Sequence, residues 1–220
     1  MEYKYIIKTP QKTHRLIIIF AGWSTRPDFY RNLQADGWDI VVVYDYSTLD
    51  LDLSFMEGYS TVFVIAWSLG VAAASHLATS PLFAERISAA FAVNGTIYPS
   101  DDLYGIPTNI YESTRTGLNA RNLLKFTKRM GCTVSKDGIS LSVTTSAEAA
   151  TSPAEETFIP DFDKMAWELE NIRDNATRGN LPWKRAYISD ADRIFPPANM
   201  SRYWSEYQPV TQIVNIQTPH

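Results

Sequence analysis

The clearest chemical signal in the chain is a serine with a small residue two positions away on each side, in Ala66-Trp67-Ser68-Leu69-Gly70. It follows the apolar run TVFVIA at 61–66 and precedes an alanine-rich stretch. The pattern is one substitution from G-x-S-x-G, in which a strand turns into a helix so sharply that the serine side chain projects above the sheet. Side chains two before and two after such a serine nearly touch, so Ala66 and Gly70 suit the turn. The chemistry would be nucleophilic acyl transfer, with the serine oxygen attacking a carbonyl to form an acyl-serine. The Leu69 N–H would then start a helix, where amides lack partners and the dipole favours negative charge.

A nucleophilic serine needs a base and a group that orients the base. Only three histidines are available. His14 precedes the second apolar run, at the end of the sheet opposite the turn. His76 lies eight residues along the helix, about 12 Å away at the α-helical rise. His220 follows the last predicted strand, at the end where the turn opens, and is the expected base. The acid is expected after the penultimate strand, where the chain reads Ile188-Ser189-Asp190-Ala191-Asp192-Arg193-Ile194-Phe195-Pro196. Asp192 is the first choice and Asp190 the fallback. The loop Ala21-Gly22-Trp23-Ser24 is expected to give a second oxyanion donor, the Trp23 N–H, beside that of Leu69. Gly22 would let the backbone approach the reacting carbonyl.

These residues need a sheet to carry them. Runs at 15–20 (RLIIIF), 40–44 (IVVVY) and 61–66 are near-continuous apolar strands, as expected for a parallel sheet covered on both faces. Runs at 87–93, 184–188 and 210–216 resemble three more, and 3–8 is expected to pair antiparallel with the 15–20 strand. Helical patterns fall at 28–35, 69–79 and 197–207. The alternation predicts an α/β sandwich with right-handed crossovers. With the turn at Ser68, the expected class is an α/β-hydrolase fold, a mostly parallel sheet with helices on both faces. Its core would comprise 1–100 and 184–220. Helix-like segments at 119–130 and 162–178 make 101–183 a helical lid inserted before the penultimate strand.

Composition narrows the classes. A net charge of −4 and a pI near 5.4 argue against a general nucleic-acid binder. The longest apolar run is too short to cross a bilayer, and the N-terminal residues do not resemble a secretion signal, so a soluble cytoplasmic protein is expected. One cysteine, Cys132, excludes an internal disulfide framework and a cysteine-rich zinc cluster; it reads as a buried thiol of the lid. No metal or organic cofactor is implied. Asp45 follows a strand but lacks the glycine-rich phosphate loop of a nucleotide site. Arg121, Lys125, Lys128 and Arg129 form either a solvated helix face or a docking face.

Four segments carry a resemblance over essentially the whole chain: FAGWST at 20–25, AWSLGVAAA at 66–74, NLLKFTKRM at 122–130 and DRIFPPANM at 192–200. They resemble the BioG-type esterases, α/β-hydrolases that cleave the methyl ester of pimeloyl-acyl carrier protein in biotin synthesis. The resemblance implies a triad of Ser68, Asp192 and His220, with Trp23 and Leu69 as the oxyanion hole. It also implies that Arg121, Lys125 and Arg129 meet an acidic acyl carrier protein bearing a pimeloyl methyl ester. Tyr104, Tyr111, Phe126 and Trp167 are the expected aromatic lining of a channel for the methylene chain. His220 is the last residue, whereas such hydrolases usually continue past the catalytic histidine, so weak activity is expected if the chain is truncated there. A general carboxylesterase or thioesterase, or a non-catalytic protein on the same scaffold, is the rival reading.

Overall fold

The structure is a computed structural model and describes residues 1–10, 13–130 and 160–217. Seven strands form one sheet: β1 (Glu2–Ile7), β2 (Arg15–Phe20), β3 (Asp39–Tyr44), β4 (Thr61–Trp67), β5 (Ala89–Val93), β6 (Trp183–Ser189) and β7 (Gln212–Ile216). The described helices are α1 (Gly70–Leu77), α2 (Pro81–Ala84), α3 (Thr108–Thr116), α4 (Ala120–Arg129), α5 (Phe162–Asn175) and α6 (Pro197–Tyr207). The sheet order is β1-β3-β2-β4-β5-β6-β7, with every pairing parallel except β1 on β3. The apolar runs form strands because both faces are covered. Along β2, Leu16, Ile18 and Phe20 enter the large core cluster, while Ile19 joins Tyr30, Ile40 and Val42 on the other face.

Two local expectations are corrected. β1 does not pair with β2, because β3 and β4 occupy both edges of β2. It pairs antiparallel with β3, Glu2 opposite Tyr44, and the Met1 ammonium anchors it by donating to the carbonyls of Thr48 and Asp50. The 28–35 segment forms only a 3-10 turn over Pro27–Tyr30, held by bonds such as Arg31 N–H to Asp28 O. Helix α3 gave no distinct signal, since it buries a single residue, Tyr111.

The helices α3, α4 and α5 stand between β5 and β6. One face of α5 is fastened to the turn after β3 by residues spaced for a single helical stripe. Lys164 pairs with Asp45 at 2.5 Å, and Trp167 Nε1 donates to Ser47 O at 2.9 Å. Glu168 accepts from the Tyr46 N–H, and Asn171 Nδ2 donates to Tyr46 O at 2.8 Å. Burial and the neighbouring Asp45 charge push the Glu168 carboxyl up to about 7, against the pull of the Tyr46 amide, Lys164 and Arg26.

The native state therefore holds a proton on Glu168 that the unfolded chain has released, from the ordinary 4.5 up to about 7. Stability falls as pH rises through that window. Glu168→Gln should flatten this slope in urea denaturation at pH 5 and pH 8. An unchanged slope would remove Glu168 as its source.

Candidate active site

Ser68 follows β4 directly and sits in the left-handed region at φ 57°, only 5% exposed. That conformation costs an L-residue roughly 1–2 kcal/mol, so the surroundings must enforce it. The Ser68 N–H donates to Val93 O at 2.9 Å, and Val71 N–H returns to Ser68 O at 3.1 Å to start α1. Gly70 lies against the end of β2: a Cβ there would meet Phe20 O at 2.4 Å. The end of β2 therefore forbids a side chain at 70. Gly95, after β5, presses as closely from the other side, where a Cβ would meet Ser68 O at 2.3 Å.

The two candidate acids differ sharply. Asp190 is exposed, whereas Asp192 is buried at 7%. Asp192 Oδ1 accepts from the Ile194 N–H at 2.7 Å and the Phe195 N–H at 2.9 Å, which fixes the carboxylate plane. β7 runs beside β6, with Ile216 opposite Ser189, so its end lies at the same sheet edge as Asp192. His220 lies outside the described residues, as do Cys132 and the 144–153 segment. The other histidines are otherwise engaged. His14 is exposed, and its Nδ1–H donates to Gly58 O at 3.0 Å, at the opposite sheet end. His76 Nδ1 accepts from the Thr177 N–H at 3.1 Å, and burial lowers its pKa.

Trp23 is 3% exposed. Its indole N–H donates to Met165 O of α5 at 3.1 Å, and its ring meets Phe126 of α4 edge-on with centroids 5.0 Å apart. Among the described residues, neither the Trp23 nor the Leu69 backbone N–H donates a hydrogen bond. A Cβ at Gly22 would stand 3.0 Å from the Trp67 ring, so the glycine also leaves room for that indole.

Trp23, Ser68 and Leu69 line a cleft of about 440 Å³, counted out to its open mouth. Ile106, Tyr111, Phe126, Leu169 and Ile194 make its walls mostly apolar. Two expected liners are elsewhere. Tyr104 bonds Glu206 and packs on Tyr207, and Trp167 lies half-exposed over Ser47. Arg129 lines the cleft; Arg121 and Lys125 are exposed on α4 but are not lining residues. Arg193 also lines it, a residue the sequence reading passed over as mere flank of the acid. No group of three or more His, Cys, Asp or Glu among the described residues is arranged to hold a metal ion. No described helix is long and apolar enough to cross a membrane.

This architecture is shared with an α/β-hydrolase enzyme from a Medee basin deep-sea metagenome library, at a TM-score of 0.60 and 14% identity over 98% of this chain and 85% of that one. The chain has the α/β-hydrolase fold. Residues 1–219 match the family described as pimeloyl-ACP methyl esterase BioG, and the chain belongs to that family. The crystal structure of BioG from Haemophilus influenzae is similar at a TM-score of 0.75 and 28% identity, covering 98% of this chain and 92% of that one. A malonyl-[acyl-carrier protein] O-methyltransferase of Bacteroides fragilis is 33% identical over 90% of this chain. The chain spans only 38% of that relative's length.

The approach at Gly70 gives a sign test. Glycine to alanine inside a helix ordinarily stabilises by about 0.5–1 kcal/mol. Gly70→Ala should instead destabilise by on the order of 1–3 kcal/mol, as overpacking does. Urea denaturation decides between them, and a gain in stability would contradict the packing described.

Proposed function

We propose that the chain hydrolyses the methyl ester of pimeloyl-acyl carrier protein through an acyl-serine, releasing methanol. The observation that carries this reading is Ser68 at a left-handed strand-to-helix turn on the floor of an apolar cleft. The family supports the esterase role in biotin synthesis.

In this mechanism His220 takes the proton from Ser68 Oγ as that oxygen attacks the distal ester carbonyl. The Trp23 and Leu69 N–H groups stabilise the oxyanion. The tetrahedral intermediate expels methoxide, which takes the proton from His220 and leaves as methanol. Water then gives a proton to His220 and attacks the acyl carbon, which frees the carboxylic acid and restores Ser68. Asp192 orients the imidazole; its burial and its two backbone donors favour it over Asp190. The sheet register sets Val214 level with Trp67, three strands and roughly 14 Å away, so the residues after Ile216 would have to cross that gap to bring His220 to Ser68.

Within the 101–183 insertion, helices α3, α4 and α5 would serve as a lid over the carboxyl edge of the sheet. Their apolar inner wall would hold the methylene chain, and it disfavours a product that ends in a carboxylate. Arg121 and Lys125 outside the cleft, and Arg129 on its lining, would present positive charge to an acidic carrier protein.

Brief exposure to a fluorophosphonate, read by electrospray mass, should add a single group to the wild type and none to Ser68→Ala. Asp192→Asn should slow that labelling far more than Asp190→Asn. No adduct on the folded wild type would overturn the reading. Reversing the charges of Arg121 and Lys125, which lie outside the cleft lining, should weaken turnover of the carrier-bound ester while sparing a short soluble ester. Equal loss on both substrates would sink the docking role.

A further inference from the structure

The loop after β2 holds a closed ring of hydrogen bonds. The Gly22 N–H donates to the Tyr30 hydroxyl oxygen at 3.3 Å. The Thr25 hydroxyl donates to Gly22 O at 2.7 Å. The two hydroxyls meet at 3.0 Å, and since the Thr25 proton is already given to Gly22, the Tyr30 proton supplies that contact. The ring therefore runs from Gly22 N–H to Tyr30, from Tyr30 to Thr25, and from Thr25 back to the Gly22 carbonyl. It is sheltered, with Thr25 5% and Tyr30 8% exposed. The Thr25 N–H also donates to Gly22 O at 3.1 Å, closing a turn whose third residue, Ser24, is left-handed at φ 69°.

The consequence follows from peptide planarity. Gly22 C=O and Trp23 N–H belong to one trans peptide unit, so they point in opposite directions. Two bonds from Thr25 turn the carbonyl inward to the loop and thereby turn the Trp23 N–H away from it. On the preceding peptide, Ala21 O is held by the Tyr46 hydroxyl at 2.5 Å. We propose that Thr25 and Tyr30 are positioning residues for the oxyanion hole, fixing the direction of the Trp23 N–H without touching substrate. This rests on the esterase reading above.

Thr25→Val keeps the shape and removes the hydroxyl. Losing an oxyanion donor outright costs about 10²–10³ in kcat. Tilting one by this substitution should lower kcat on a short soluble ester at least about tenfold, with KM within about threefold. Thr25→Ser should recover most of the loss, and Tyr30→Phe should lower kcat in the same direction. The Trp23 backbone amide resonance should move in Thr25→Val and return in Thr25→Ser. An unchanged kcat in folded Thr25→Val would overturn the proposal. So would equal losses in the Val and Ser variants, or a Trp23 amide that does not move. Should Thr25→Val fail to fold, Tyr30→Phe carries the same two readouts, and an unchanged kcat and amide there overturn the proposal. The amide measurement needs no turnover: if the wild type cleaves no ester yet the resonance moves as stated, the esterase reading fails and the ring stands.

Discussion

Ser68 holds a backbone conformation that an isolated serine avoids, and much of the site is built to keep it there. Strain of this kind persists only where the surroundings over-determine it. Here the restraints come from the two strands that flank β4. β5 accepts the Ser68 N–H through Val93, the end of β2 closes against Gly70, and Gly95 presses on the Ser68 carbonyl. Gly95 is itself held, since Trp204 of α6 donates its indole N–H to Gly95 O at 3.1 Å. The parallel sheet is thus more than a platform. Its register brings the ends of β2, β4 and β5 to one level, so that Gly70 closes on β2 while Gly95 closes on Ser68.

The facing wall has a different construction. Trp23 is covered by helices that enter the chain between β5 and β6, with Phe126 on its ring and Met165 O on its indole N–H. The same α5 is strapped to the turn at Asp45, Tyr46 and Ser47, and the Tyr46 hydroxyl reaches Ala21 O. Helix α5 therefore both walls the cleft and braces the loop that carries Trp23. A disturbance at Glu168, beneath that strap, has a short path to the loop through Tyr46.

What was legible in the sequence follows from how local each determinant is. The apolar runs that became β2, β3 and β4 announced a covered parallel sheet, because continuous hydrophobicity needs no knowledge of partners. The turn at Ser68 was legible for the same reason: strand, serine and helix are contiguous. The partner of β1 was not, since the choice between β2 and β3 depends on which edge is already filled. Aromatic character alone points Tyr104 and Trp167 to the cleft, and only packing shows that Tyr104 belongs to the tyrosine cluster around Tyr207. Asp192 and Asp190 differ by burial, which a two-residue spacing cannot express. Arg193 was visible as a residue, but only the cleft gives it a place beside Arg129.

The two proposed oxyanion donors show why positioning side chains matter as much as the donors themselves. Both are backbone amides, so no side-chain substitution can delete either, and their directions depend on what holds the peptide planes. The Leu69 N–H is set by α1, where Ala72 and Ala73 both donate to Leu69 O and stiffen the first turn. A helix is rigid without further help. The Trp23 N–H sits in a four-residue turn with a left-handed serine, an arrangement that local bonding alone holds weakly. The hydroxyl ring through Tyr30 and Thr25 adds side-chain hydrogen bonds that brace this turn. A transition state that needs both amides at once depends most on the softer of the two, and here that is the one Thr25 holds.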